Sequence, residues 1–348
     1  MTKDQEYWNG RFSDLEASTH RKAEEYTDQL DGVYREAMKS IKASLNEWYL
    51  RYAINNGGKM TLAEARRQLS STERKEFRWT VQEYIKHGQE NGISADWSKE
   101  LENASARFHV TRLQALQLEL QNAVEVLYGN QTDGLDRLLK EQALERYWHT
   151  CFEIQKGTGV GWDIAGINKT ALETILKKPW AADGRNFSDR IWENKEKLVG
   201  ELQKSLMQSL IMGRAYEEVA KIFAKRMDVS EHNAARIIRT ESAYAASVAQ
   251  EKAFKELDVE KFIFVATLDD RTSDICQEMD GQVFDMKDYE IGTSVPPLHP
   301  NCRSCISPYR EALAHIGTRA AKDPETGKTV QVPKDMTYRQ WEKQFAKD

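Results

Sequence analysis

The sequence has few cysteines, 4 in 348 residues. They are too sparse for a disulfide framework, so reduced thiols are the default reading. No apolar run approaches the roughly 20 residues that span a bilayer, and no membrane partner is expected. The stretch from Met1 to Asn9 is polar and lacks the apolar core of a signal peptide, so synthesis in a cytoplasm is expected. There is no excess of positive charge either. The formal net charge is -5, which excludes a uniform basic coat for nucleic acid but leaves room for a local basic face.

What the chain has instead is charge and length. Charged residues make up 30% and the mean hydropathy is -0.70, which suits long exposed helices better than one spherical core. At 348 residues the chain accommodates two domains or one elongated unit. Tyr26, Leu30, Val33, Ala37, Ile41, Leu45, Trp48 and Tyr52 recur at steps of three and four. This predicts a long amphipathic helix, closed by Asn55-Asn56-Gly57-Gly58. Thr61 with Glu64, and Ser70 with Glu73, have capping-box spacing and start the next helices. Leu113, Leu116, Leu120, Val124 and Leu127 form another stripe, closed by Gly129, and a further helix follows from about Leu135 to Gln155.

Gly157-Thr158-Gly159-Val160-Gly161 interrupts the pattern. It lacks phosphate-loop spacing, no strand precedes it and no Lys-Ser/Thr follows, so a hinge or turn is the reading. Pro179-Trp180 and Asp183-Gly184 punctuate the next connection. Helices then run from Ser188 through Met212-Gly213, over Glu217–Met227, and over Ser230–Leu257. After Leu257 the texture changes. Phe262-Ile263-Phe264-Val265-Ala266 reads as a strand, Asp280-Gly281 as a turn and Val283-Phe284 as a second strand. Pro324-Glu325-Thr326-Gly327 is a further turn, before a last short helix around Tyr338–Phe345. The expected architecture is mainly α: a helical N-terminal region over 1–184, forming an elongated arm, and a small α+β C-terminal domain over 185–348.

Four potential metal ligands crowd the C-terminal part: Cys276, His299, Cys302 and Cys305. Thiolates and an imidazole suit zinc, here as a closed structural Cys3His site that would pin a proline-rich loop. The alternative is a set of small buried thiols with His299 bonded to backbone. Catalytic readings are weaker. A nucleic-acid deaminase needs a His-x-Glu segment before its Cys pair, and none precedes Cys302-x-x-Cys305. A Cys-His dyad could draw on Cys302 or Cys276 with His299 or His315, but the facing of these side chains is not set by the sequence.

Arg239-Thr240-Glu241 sits late in a helix. With Asp269, Arg271 and Asp280 it makes a polar set, read either as a functional cluster or as a buried network locking helix to sheet. Asp280-Gly281 is more simply a turn. Lys221, Lys225, Arg226, Arg236 and Arg239 form the densest basic run, a DNA-facing surface or a solvated face. No base-reading motif is visible, so any DNA binding should be weak, non-specific and salt-sensitive.

The C-terminal motif string resembles the tailed-phage minor head proteins, also called head-morphogenesis or Mu F-like minor capsid proteins. The matching elements are Arg239-Thr240-Glu241 with Ala245-Ala246, Leu268-Asp269-Asp270-Arg271-Thr272-Ser273, Cys276, Asp280-Gly281, Pro296-Pro297-x-His299-Pro300-Asn301-Cys302-Arg303 and Pro308-Tyr309. Tyr7-Trp8, Trp180, Asn186-Phe187-Ser188-Asp189-Arg190-Ile191-Trp192 and Val332-Pro333-x-Asp335-Met336-Thr337-Tyr338 resemble further landmarks. The chain departs from the pattern at Cys305, which follows Cys302 by three residues. The resemblance implies a virion component present in a few copies inside the head, near the portal. It implies the portal protein, the head shell and double-stranded DNA as partners, with roles in head assembly and in DNA packaging or delivery. Binding, not catalysis, is the expected function. The rival is a virion-carried zinc- or thiol-dependent enzyme, a hydrolase or nucleotide-modifying activity, using the Cys/His cluster.

Overall fold

The structure is a computed structural model that describes residues 3–53, 58–90, 94–158, 164, 166–309, 318–322, 329–333 and 340. It is mainly α, with nine helices among the described residues and a small antiparallel sheet towards the C-terminus. The first helix, α1 (Lys3–Tyr52), runs for 50 residues without a break. Its expected stripe is the buried one: Leu30, Ile41 and Leu45 are each at most 2% exposed. The cap expected at Asn55-Asn56-Gly57-Gly58 lies largely outside the described residues.

Both expected capping boxes are present. Thr61 Oγ1 accepts from the Glu64 amide at 3.2 Å and starts α2 (Leu62–Ala65). At α3 (Ser71–Glu90) the box is reciprocal. Ser70 Oγ accepts from the Glu73 amide at 3.3 Å, and Glu73 Oε2 accepts from the Ser70 amide at 2.6 Å. Side-chain caps satisfy amides that have no partner within a helix. Ser94 and Asn168 do the same for α4 (Ala95–Ala106) and α6 (Lys169–Leu176).

Two expected breaks are absent. α5 (Arg112–Thr158) passes straight through Gly129. One interior glycine costs only about 1 kcal/mol, less than the burial of Leu127, Tyr128 and Leu135 around it returns, all at most 1% exposed. α7 (Phe187–Ile211) ends as expected near Gly213, at φ +60. α8 (Tyr216–Glu256) then runs 41 residues through Met227–Ser230. Ser230, the expected start of a separate helix, lies inside α8: its hydroxyl is 3.1 Å from the Tyr34 hydroxyl and accepts from Asn194 Nδ2 at 3.3 Å.

β1 (Lys261–Val265) is the centre of a three-stranded antiparallel sheet. The short helix α9 (Asp274–Met279) leads to β2 (Val283–Asp285), where Phe284 sits opposite Phe262. β3 (Cys305–Pro308) covers the other edge, with Cys305 opposite Val265. β4 (Thr318–Lys322) and β5 (Thr329–Pro333) pair separately. The turn expected between them, Pro324–Gly327, lies outside the described residues. So do most of the glycine run at 157–161 and the last expected helix apart from Gln340. No helix among the described residues is long and apolar enough to cross a membrane.

The chain forms two compact units. One comprises Met1–Tyr26, Asp136–Phe187 and Arg236–Asp348; the other comprises Thr27–Leu135 and Ser188–Ala235. In the first, Phe12 meets Phe254 edge-on at 5.7 Å, and Phe262 and Phe264 are fully buried. Arg146 bridges Glu16 and Gln250, and Gln250 Nε2 donates to the Ile306 carbonyl at 3.0 Å, tying α5 and α8 to β3. In the second unit, buried Glu125 is matched by Lys195 Nζ at 2.9 Å, the pairing a buried charge requires.

Candidate metal centre

The stretch His299-Pro300-Asn301-Cys302 closes a β-turn, with the Cys302 amide donating to the His299 carbonyl at 3.2 Å. Pro300 occupies the second position, where its ring presets φ near −65°. Asn301 occupies the third at φ +59, the left-handed value a type II turn demands and Asn tolerates. The residue order therefore brings His299 and Cys302 to the same mouth of one turn. Two contacts with α8 hold the loop. The Asn301 amide donates to Thr240 Oγ1 at 3.1 Å, and Ser247 Oγ donates to the Pro296 carbonyl at 2.6 Å.

Cys276 arrives from α9. Ser273 caps this helix by accepting from the Cys276 amide at 3.4 Å. Upstream, Asp269 Oδ1 accepts from the Arg271 amide at 3.0 Å and organises the approach. Asp269 is also the two-pronged acceptor of Arg303, at 2.6 Å for Nη2 to Oδ1. Arg303 follows Cys302 directly, so this pair clamps the two ligand-bearing segments together. Burial raises the Asp269 carboxyl, but the Arg303 guanidinium, helped by the Arg271 amide, outweighs it and holds the group below the usual carboxylate range.

The three ligand atoms converge. Cys276 Sγ lies 3.3 Å from His299 Nε2 and 3.6 Å from Cys302 Sγ, and all three fall within 4.8 Å of one another. A tetrahedral zinc with Zn–S of about 2.3 Å and Zn–N of about 2.0–2.1 Å spans edges of roughly 3.8 Å between sulfurs and 3.6 Å from sulfur to nitrogen. The measured separations are close to those edges, so the residues fit such an ion. His299 Nδ1 lies 2.9 Å from the Pro300 carbonyl. A proton on Nδ1 leaves Nε2 facing the sulfurs, the orientation a ligating imidazole needs. The Cys302 thiol, donating to Cys276, lowers the Cys276 pKa, and His299 adds to this. The same contacts push Cys302 upward and His299 upward. A metal would replace these protons.

Cys305 is not in this group. It is buried in β3, with Sγ 3.8 Å from Ser13 Oγ of α1. Cys151, in α5, is pushed up to about 11 mainly by burial. His315 lies outside the described residues.

The other sequence-selected residues scatter. Arg239 makes a two-pronged pair with Glu24 at 2.6 and 2.8 Å. Glu241 accepts from Trp180 Nε1 at 3.0 Å, beneath the stack of Trp180 on Tyr244. Thr240 meets the metal loop through Asn301. Asp280 Oδ1 accepts from the Ala266 amide at 2.9 Å. Asp269 and Arg271 are joined directly, and the charge partner of Asp269 is Arg303, which lies outside the expected polar set. Of the basic run, Arg226 pairs with Glu201 at 3.2 Å, while Lys221, Lys225 and Arg236 are exposed. Lys221, Lys225 and Arg226 belong to one compact unit, Arg236 and Arg239 to the other.

Residues 200–307 match the family described as Phage Mu protein F like protein. The chain is 24% identical over 337 residues to the minor head protein GP7 of Bacillus phage SPP1, covering 91% of each. It is 24% identical over 194 residues to the NAD(+)–arginine ADP-ribosyltransferase EFV of Enterococcus faecalis, a match covering 53% of this chain and 39% of that protein. An uncharacterized protein of Haemophilus influenzae matches over 112 residues at 24% identity, 32% of this chain and 25% of the relative. No solved structure matches. The matched segment holds α8, β1, α9 and all three converging ligands, and a minor head protein is similar along nearly the whole chain.

Proposed function

We propose that this protein acts by binding during phage head morphogenesis, inside the head near the portal, and assists DNA packaging or delivery. The observation that carries the reading is the match to a minor head protein over 91% of both chains. Large apolar side chains left at the surface, such as Trp79 (68% exposed) and Met212 (65% exposed), offer contact points for head-shell or portal partners. Lys221, Lys225 and Arg236 offer phosphate contacts that would be weak and sensitive to salt. The test is capture of the tagged chain from cells assembling heads, with the eluate probed for the portal protein. Recovery of portal supports the reading; its absence from the eluate, while portal is abundant in the lysate, contradicts it.

Zinc is the metal we assign to Cys276, His299 and Cys302, on donor type and separations. It would staple the turn carrying His299 and Cys302 to α9. One observation favours a second reading. Cys276, whose thiolate is stabilised, faces an imidazole at 3.3 Å beside a cleft, which suits a thiol- or zinc-dependent enzyme. An activity abolished by Cys276→Ser in a folded chain would select that reading.

A further inference from the structure

Among the described residues only three metal ligands converge at the site, and a closed structural zinc site needs four. The obvious fourth, Cys305, is committed elsewhere. It pairs with Val265 in the sheet, and its sulfur faces Ser13. The ligand set also has an open side. Cys302 is fully buried, but Cys276 and His299 line a cleft together with Thr267, Arg271 and Asn301. Cys2His with one position left for water or substrate is an established arrangement for zinc.

The cleft has a charge character as well. Two thiolates neutralise a divalent ion. Arg303 spends its charge on Asp269. The Arg271 guanidinium, by contrast, is exposed and has no ion-pair partner among the described residues. A neutral metal with a vacant position beside an unpaired guanidinium favours a ligand carrying negative charge on oxygen.

We propose that the metal held by Cys276, His299 and Cys302 keeps its fourth position open to this cleft and, with Arg271, binds an oxyanion, a phosphate or carboxylate group. The proposal rests on the zinc reading above. One oxyanion oxygen would replace water on the metal, and another would accept from the Arg271 guanidinium. No covalent step is involved.

The test uses the full chain loaded with cobalt(II), whose visible spectrum reports ligand number and thiolate count. Cys305→Ser should retain one cobalt per chain with an unchanged thiolate charge-transfer band. Inorganic phosphate and acetate, titrated separately, should shift the ligand-field bands saturably, and the arm that does so at lower concentration identifies the preferred group. Arg271→Gln should keep the cobalt and weaken that anion at least about tenfold. Loss of cobalt or of part of the thiolate band in Cys305→Ser would establish a closed four-ligand site and overturn the proposal. So would a spectrum that neither anion alters. If the unmodified chain takes up neither cobalt nor zinc, the metal reading itself fails and this proposal with it.

Discussion

Cys276 Sγ and Cys302 Sγ lie 3.6 Å apart although 26 residues separate them in sequence. Two local devices achieve this. Ser273 caps the helix that carries Cys276, and Pro300-Asn301 shapes the turn that carries Cys302. The Asp269–Arg303 pair then fixes one segment against the other. The turn and the ion pair each make a separate prediction.

Asn301 at φ +59 is the conformational hinge of the turn. A β-branched residue is strained there, at a cost of roughly 1–3 kcal/mol. Asn301→Val should lower both unfolding free energy and zinc content per chain, while Asn301→Gly should leave zinc content unchanged. Equal zinc content in both variants would show that the turn does not set the ligand geometry.

Asp269 is 6% exposed and accepts both prongs of Arg303. Removing one partner of such a pair strands the other, at a cost of about 3–5 kcal/mol. Asp269→Ala should therefore destabilise the chain more than Arg239→Ala, whose partner Glu24 is half exposed to water. Denaturant unfolding of the two variants compares them directly. A larger loss in Arg239→Ala would put the lock between Glu24 and α8 instead.

Glu119 accepts from Trp48 Nε1 at 3.1 Å. Burial, with repulsion from Glu47, pushes its carboxyl up to about 7. In the unfolded chain it titrates near 4.3. Between those values the folded chain holds a proton that the unfolded chain has released, so this group's contribution to stability falls as pH rises from about 4 to 7 and is flat above. Glu119→Gln removes the penalty. It should exceed the unmodified chain in stability at pH 8 by ~3–4 kcal/mol, and match it at pH 4. Unfolding free energies measured at both pH values check the sign; the same difference at each would refute the shift.

Lys221 and Lys225 lie one turn apart on α8, and both are exposed. If they touch DNA, Lys221→Glu with Lys225→Glu should weaken retention of double-stranded DNA at low salt. It should also flatten the salt dependence by about two counterions. An unchanged salt slope would assign these lysines to a solvated face.

How much was legible before the fold was known follows from the range of each signal. Ser70-x-x-Glu73 was readable because a capping box is complete within four residues. The uninterrupted run through Gly129 was not, because what carries the helix past a glycine is the burial of Leu127 and Tyr128 against distant residues. Ser230 read as the start of a helix in one dimension, whereas in the structure it lies inside α8 with its hydroxyl tied to Tyr34 and Asn194. β3 ends on Pro308 and carries no alternation of its own; its pairing with β1 defines it. At the metal centre the residue types were visible, but the turn at Pro300-Asn301 that brings His299 and Cys302 to one mouth was not read. The Arg303–Asp269 clamp spans 34 positions, beyond any local pattern.

The central proposal is that this chain is a component of the phage head. Quantitative mass spectrometry of purified virions and of DNA-free heads tests it most directly. The account predicts the chain in both, at a few copies per particle, retained when external proteins are stripped. A chain abundant in the lysate yet missing from both kinds of particle would contradict the account.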